Sequence, residues 1–276
     1  MSLDEAKGLE ADLAVAREAA EQAAQIIERA WDQGSQVWSK GEVDLVTETD
    51  LAAERCITDV LRARRPDDQV VGEEGVDERT QSSTRVWYVD PLDGTTNFSH
   101  GVPHFCVSVA LVDERGPRVG VVIDPLRRWC FYARRGGGAW LNGRPLKVSQ
   151  TAALGQSVLA TGFPYDKWTA EDNNTARFSA MVAQTRGMRR MGAAALDLCY
   201  LAAGWFDGYW EFRLKPWDIA AGVLLVSEAG GKVTDFKGEP IDLQKGELVA
   251  SNGMFHVELV SALADGQAPS GRSSVG

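Results

Sequence analysis

The segment Trp87-Tyr88-Val89-Asp90-Pro91-Leu92-Asp93-Gly94-Thr95-Thr96-Asn97-Phe98 constrains this chain more than any other. Its apolar start reads as a buried strand, broken at a proline that has no backbone N–H to give a neighbouring strand. Asp90 and Asp93 lie at that break, where the chain turns and both carboxylates can converge on a hard cation. Oxygen donors of this kind suit Mg²⁺. Gly94 lets the backbone come close to a ligand. Thr95 and Thr96 can open a helix whose free N–H groups face an anion. A strand, paired acids and an anion-ready helix start, in this order, point to metal-assisted phosphoryl hydrolysis.

The bulk properties narrow the field. The 276 residues suffice for one large domain or two lobes sharing a core. A formal charge of −10 argues against a broad nucleic-acid surface, so no nucleic-acid partner is expected. The N-terminus carries Asp4, Glu5, Glu10 and Asp12 with no apolar core, unlike a signal peptide. No run approaches the roughly 20 apolar residues of a membrane span. Cys56, Cys106, Cys130 and Cys199 form no C-x-x-C pair and read as reduced residues of a cytoplasmic protein.

Along the chain, apolar residues at three- and four-residue steps predict a helix from Asp4 to Trp31, stopped by Gly34 and Ser35. A loop around Lys40-Gly41 leads to a second helix, about Asp50 to Arg64, with Leu51, Ile57, Val60 and Leu61 inward and Thr49 or Asp50 as N-cap. Val70-Val71, Arg85–Val89, Phe105–Val112, Val119–Asp124 and Trp129–Ala133 read as strands, and Asn142-Gly143 as a hairpin turn. Strands are then expected at Val158–Thr161, Gly208–Phe212, Lys232–Asp235 and Leu248–Ala250. Helices are expected at Asp172–Thr185, Gly192–Ala203, Asp218–Ala229 and Met254–Leu263. Gly136-Gly137-Gly138 divides an N-terminal α+β lobe (1–138) from a C-terminal α/β lobe (139–265), and 266–276 reads as a disordered tail.

Three segments place acids beside turns: Gly72-Glu73-Glu74, Asp90 to Asp93, and Trp217-Asp218. Taken singly, Glu73-Glu74 is a solvated turn and Asp218 a helix cap. Together and in this order they resemble the inositol monophosphatase family, within the lithium-sensitive, Mg²⁺-dependent phosphatases. The resemblance runs from about Asp12 to Leu263 and takes in the segments Val43 to Asp50 and Gly192 to Leu198, with Glu211 late in the chain. The ending Thr95-Thr96-Asn97-Phe98 is similar to the inositol monophosphatase branch rather than to relatives that prefer nucleotide bisphosphates or histidinol phosphate.

The resemblance implies an αβαβα sandwich, a homodimer and two to three Mg²⁺ per site. It implies that Glu73, Asp90 and the Leu92 carbonyl hold one cation, that Asp90, Asp93 and Asp218 hold a second, and that Glu73 faces a third through water. Thr95 and Asp50, assisted by Glu73, would orient and deprotonate the attacking water, with no phosphoenzyme. Substrate contacts would come from Asp93, Gly94, Thr95, Gly192, Ala193, Glu211 and Asp218, Glu211 taking hydrogen bonds from inositol hydroxyls. The implied substrate is a small phosphate monoester, myo-inositol monophosphate first. Sister specificities (fructose 1,6-bisphosphate, 3′-phosphoadenosine 5′-phosphate, histidinol phosphate) and a regulatory role on the same fold stay open. Lys40 falls in the loop beside the metal site, while Arg213 and Lys215 read as solvated and Arg189-Arg190 as facing either substrate or partner subunit. His100, His104 and His256 are not at zinc-ligand spacings, and no G-x-S-x-G or P-loop is present.

Overall fold

The computed structural model describes residues 2–33, 37–39, 45–75, 77–78 and 84–266. Lys40 with its loop, the stop at Gly34-Ser35 and the tail beyond Gly266 lie outside the described residues. Helix α1 (Leu3–Gln33), the antiparallel pair β1 (Val37–Ser39) and β2 (Leu45–Thr47), and α2 (Glu48–Arg64) come first. Then follow β3 (Gln69–Gly72), β4 (Asp77–Glu78), β5 (Val86–Asp93) and the short α3 (Thr95–Ser99). Next are β6 (Cys106–Asp113), β7 (Gly116–Asp124), β8 (Trp129–Arg134), β9 (Ala139–Leu141) and β10 (Arg144–Pro145). The second half runs β11 (Val158–Thr161), α4 (Thr175–Val182), β12 (Gly187–Arg189), α5 (Ala194–Ala202), β13 (Gly208–Glu211) and α6 (Pro216–Glu228). It ends with β14 (Lys232–Thr234), β15 (Leu248–Ser251) and α7 (His256–Asp265).

These elements stack in five layers. One sheet has the order β10-β9-β8-β7-β6-β5-β3-β4 and the other β12-β11-β13-β15-β14. Side-chain alternation along each strand feeds two cores at once. Val107, Val109 and Leu111 of β6 pack with Leu9, Leu13, Ile27 and Ile57 of α1 and α2, while Cys106 and Ala110 face α5 and α6. In β13, Tyr209 joins that central core and Trp210 points outward to Met181 of α4 and Leu259 of α7. The result is the expected αβαβα sandwich. Among the described residues no helix is long and apolar enough to cross a membrane.

Several boundaries move. α2 begins at Glu48, so Thr49 and Asp50 are not its N-cap but buried residues of its first turn. Leu51 and Val60 are only half-buried; the inward stripe is Asp50, Glu54, Ile57 and Leu61, in which two acids stand where apolar residues were sought. α4 starts late because Asn174 takes a left-handed conformation (φ 70°) before it. α6 starts at Pro216, two residues before the expected Asp218, since proline suits a first helical turn. β9 and β10 extend the first sheet past Gly138, so that sheet ends at Pro145.

One buried group ties the second sheet's stability to pH. His256 is 2% exposed, with Nδ1 2.8 Å from Ser251 Oγ and Nε2 2.9 Å from Thr234 Oγ1. Burial and the nearby Lys232 charge push its pKa down to about 4. The unfolded chain takes up this proton near pH 6.5, so the stabilisation is complete above that pH and is lost as pH falls towards 4. Urea unfolding of His256→Asn should show a smaller loss between pH 6.5 and pH 4.5 than the parent, by about 2 kcal/mol.

Candidate active site

The pairing of β5 with β6 shows how one strand presents two acids to the same side. In an unbroken strand, residues three apart face opposite ways. Here Asp90 pairs with Ser108 and Asp93 with Cys106, so three steps on β5 match two on β6. The strand does not end at Pro91, as the sequence suggested, but bulges there and runs on to Asp93. The bulge turns both carboxylates to one side. Asp90 Oδ1 accepts the Leu92 N–H at 3.0 Å, replacing a bond the ladder loses. Gly94 follows with φ 96°, and α3 starts at Thr95.

Around this bulge the fold gathers the other expected acids. Asp90 is 2% exposed and lies in the field of Glu73, Asp93 and Asp218. Burial first, then these like charges, hold its pKa well above the usual carboxylate range. Burial lifts Asp93 to about 6, against the pull of the Ala195 and Ala194 N–H groups. Ala195 N donates to Asp93 Oδ2 at 2.7 Å from the first turn of α5. Asp218, in the first turn of α6, is lifted to about 8 by burial although its Oδ2 accepts the Lys215 N–H at 2.7 Å. Among the described residues no three such side chains draw together into a closed ligand cage. No ammonium or guanidinium stands among the groups acting most on Asp90. A crowded, oxygen-only donor set short of positive charge fits a hard divalent cation.

Thr95 and Asp50 also meet. Thr95 Oγ1 lies 3.3 Å from Asp50 Oδ1 and 3.0 Å from the Leu92 carbonyl oxygen, so its one proton is shared between two acceptors. Asp50 is fully buried on α2. One turn on, Glu54 is 3% exposed, and its Oε2 accepts the Glu74 N–H at 2.8 Å. Glu54 thus fastens the turn that carries Glu73. The sequence reading missed it. The signal was its spacing of four from Asp50, which puts both acids on one helical face.

The substrate side is built from the second sheet. Glu211 ends β13, and its Oε2 accepts the Tyr209 hydroxyl. Burial raises its pKa to about 7, opposed by that hydrogen bond and by Arg190. Gly162, just after β11, closes on it: a Cβ there would stand 2.1 Å from Glu211 Oε1. Asn174 holds Gly162 in place, its Nδ2 donating to the Gly162 carbonyl at 2.6 Å and its Oδ1 accepting Trp210 Nε1–H at 2.9 Å. Gly162→Ala should therefore displace the Glu211 carboxylate while sparing the acids of β5. The check is whether KM shifts for a polyol phosphate, by about tenfold, with an aryl phosphate unaffected.

Ala193 is buried and Gly192 half-buried at the mouth of α5. Arg190 turns towards them, its Nη1 2.5 Å from where a Gly192 Cβ would sit. Arg213 instead pairs with Asp166 at the surface, and Arg189 bonds the neighbouring Met188 carbonyl. His104 and His256 sit in separate buried settings, both with pKa pushed down to about 4 by burial.

Comparisons with known proteins identify the family. The model of the inositol monophosphatase family matches residues 9–268. An inositol-1-monophosphatase of Synechocystis sp. is 44% identical over 253 residues, 91% of this chain and 88% of that protein. The Nus factor SuhB of Pseudomonas aeruginosa is 44% identical over 264 residues, 94% of this chain and 97% of its own. The solved inositol monophosphatase of Anabaena (Nostoc) sp. superposes with a TM-score of 0.86 at 40% identity, covering 94% of this chain and 97% of its own. This chain belongs to the inositol monophosphatase family, metal-dependent phosphatases of small phosphate esters.

Proposed function

We propose that the protein hydrolyses myo-inositol monophosphate to myo-inositol and phosphate, with two to three Mg²⁺ per site. The observation that carries this reading is the buried Asp90, on which Glu73, Asp93 and Asp218 act as like charges, with a carboxylate suited to a polyol, Glu211, acting in turn on Asp218. Glu73, Asp90, Asp93, Asp218 and the Leu92 carbonyl would hold the cations. When bound, Mg²⁺ would neutralise the phosphoryl oxygens and acidify a water. The chain's own groups do the rest. Thr95 Oγ1, between Asp50 and Leu92, orients the attacking water and passes its proton towards Asp50, with Glu73 at hand. The Gly94 and Thr95 N–H groups bind phosphate at the start of α3. Asp93, Asp218, Gly192, Ala193 and Glu211 surround the leaving group, Glu211 accepting its hydroxyls. The family resemblance extends the reading to a homodimer, and the cysteines without a C-x-x-C pair extend it to the cytoplasm.

Phosphate release from inositol 1-phosphate, fructose 1,6-bisphosphate, histidinol phosphate and 3′-phosphoadenosine 5′-phosphate, with and without Li⁺, tests this. Preference for inositol 1-phosphate, blocked by Li⁺, is expected, and Glu211→Ala should weaken that substrate far more than an aryl phosphate. Preference for another ester would keep the metal site and discard the role of Glu211. A second reading is a regulatory role on the same fold, favoured by relatives named Nus factor SuhB. It gains if all four esters resist hydrolysis while Mg²⁺ still binds.

A further inference from the structure

One side chain ties the wall at Gly192-Ala193 to the turn at Gly94. Asn97 of α3 is half-buried, and its Nδ2 donates to the His104 carbonyl at 2.7 Å and to the Met191 carbonyl at 2.9 Å. The Gly192 carbonyl lies 3.4 Å from the same nitrogen. All three neighbours are carbonyl oxygens, which only accept, so the amide must turn its NH₂ towards them. Its two protons go to the two nearer oxygens, and Gly192 shares one of them at longer range.

These partners belong to separate parts of the site. The His104 carbonyl packs on Gly94, where an added Cβ would stand 3.0 Å from it. Met191 and Gly192 lead into α5, whose Ala195 N–H donates to Asp93 Oδ2 at 2.7 Å. The stretch from Asp93 to Asn97 thus grips the stretch from Met191 to Ala195 at both ends, with Gly192 and Ala193 between the grips. Among the described residues no other side chain hydrogen-bonds Met191 or Gly192. The turn at Gly94 has fastenings of its own. Phe98 N–H donates to the Gly94 carbonyl at 3.0 Å, and Thr95 Oγ1 to the Leu92 carbonyl at 3.0 Å. Losing the Asn97 donors therefore frees the wall and leaves the turn in place.

We propose that Asn97 is a positioning residue for leaving-group recognition, whose amide sets the Gly192-Ala193 wall relative to the phosphate turn at Gly94. This rests on the reading of that wall as the leaving-group side of the site, and adds the residue that places it. Such a wall touches the leaving group in ground and transition state alike, so Asn97 moves KM rather than kcat.

The test compares the parent protein with Asn97→Ala and Asn97→Asp, all with Mg²⁺. KM and kcat are measured on inositol 1-phosphate and glycerol 2-phosphate, and inorganic phosphate is titrated as an inhibitor. Amide hydrogen exchange is followed across residues 191–195. The alanine variant should raise KM for inositol 1-phosphate by about tenfold, with kcat within about threefold and the phosphate inhibition constant within about twofold. Exchange across 191–195 should quicken by about tenfold, with that of α1 unchanged. The aspartate variant keeps the shape but sets oxygens against three carbonyls, so its KM should rise at least as far. An aspartate variant close to the parent would make Asn97 a packing residue and overturn the proposal. So would an inhibition constant that rises in step with KM, or unchanged exchange. If the aspartate variant does not fold, the alanine variant reads the same split. A parent that prefers glycerol 2-phosphate would defeat the proposed substrate, and KM against phosphate inhibition on that ester would still decide Asn97. A parent that hydrolyses neither would defeat the proposed function, and exchange across 191–195 would then decide whether Asn97 holds the wall.

Discussion

Asp90→Asn should abolish turnover, by about a thousandfold or more, while the fold survives. Asp90 is the acid on which the fields of Glu73, Asp93 and Asp218 all act. Asparagine keeps its shape and its acceptor for the Leu92 N–H but removes the charge that would serve two cations. In chelator the substitution relieves like-charge repulsion, so the variant should melt no lower than the parent. Mg²⁺ at about 100 times its Kd should stabilise the parent by about 2.7 kcal/mol and the variant by far less. Activity within about tenfold of the parent would end the two-cation assignment.

The same acids set a pH dependence of opposite sign to that of His256. Asp93 near 6 and Asp218 near 8 are raised by burial, so in this window the folded chain holds protons that the unfolded chain has released. Stability in chelator should therefore fall as pH rises from 5 to 8. A cation must displace these protons, so Mg²⁺ affinity should rise over that range. Thermal melts with and without Mg²⁺ at pH 6 and pH 8 read both effects, and a stabilisation by Mg²⁺ that is equal at the two pH values would contradict the proton count.

Gly246→Ala should be the most damaging small substitution outside the acids. Gly246 has φ 63°, and an added Cβ would fall 1.9 Å from the Leu214 carbonyl oxygen. The Leu214 N–H donates to the Gly246 carbonyl at 3.1 Å, so the two segments cannot part without breaking that bond. Leu214 also leads into α6, which carries Asp218. A loss of about 3 kcal/mol or more is expected in urea unfolding, together with weaker Mg²⁺ binding. Gly238→Ala is the control. Its φ of 81° is comparable, but nothing lies within 4 Å of the added atom. Only the backbone cost of about 1 kcal/mol should remain. Similar losses in the two variants would show that crowding against Leu214 is not the cause.

What could be read from the sequence was what is local. The acids of β5, the glycine and the threonines of α3 are neighbours in the chain, and strand and helix periodicity located most of the elements around them. The bulge at Pro91 was harder, because a proline in a strand pattern reads as an end unless the partner strand is known. Glu54, Asn174 and Tyr209 escaped for a different reason. Each acts through its side chain on a residue distant in sequence or hidden by an apolar pattern: Glu54 on Glu74, Asn174 on Gly162 and Trp210, Tyr209 on Glu211. Gly162 has no turn or positive φ to mark it, only the Glu211 carboxylate against it. The sheet end at Pro145 was missed because a run of three glycines is a strong local break, while β9 returns to pair with β8 across it.

The acids of the site come from four of the five layers. Asp50 belongs to an outer helix, Asp93 to the first sheet, Asp218 to a central helix and Glu211 to the second sheet. Asp93 already reaches across one boundary to the Ala195 N–H. An occupant that gathers these acids is therefore a rivet through the sandwich rather than a guest in a loop. Its effect on amide hydrogen exchange spreads accordingly: α2, β5, α5 and α6 slow together, because opening any one of them requires the whole stack to let go.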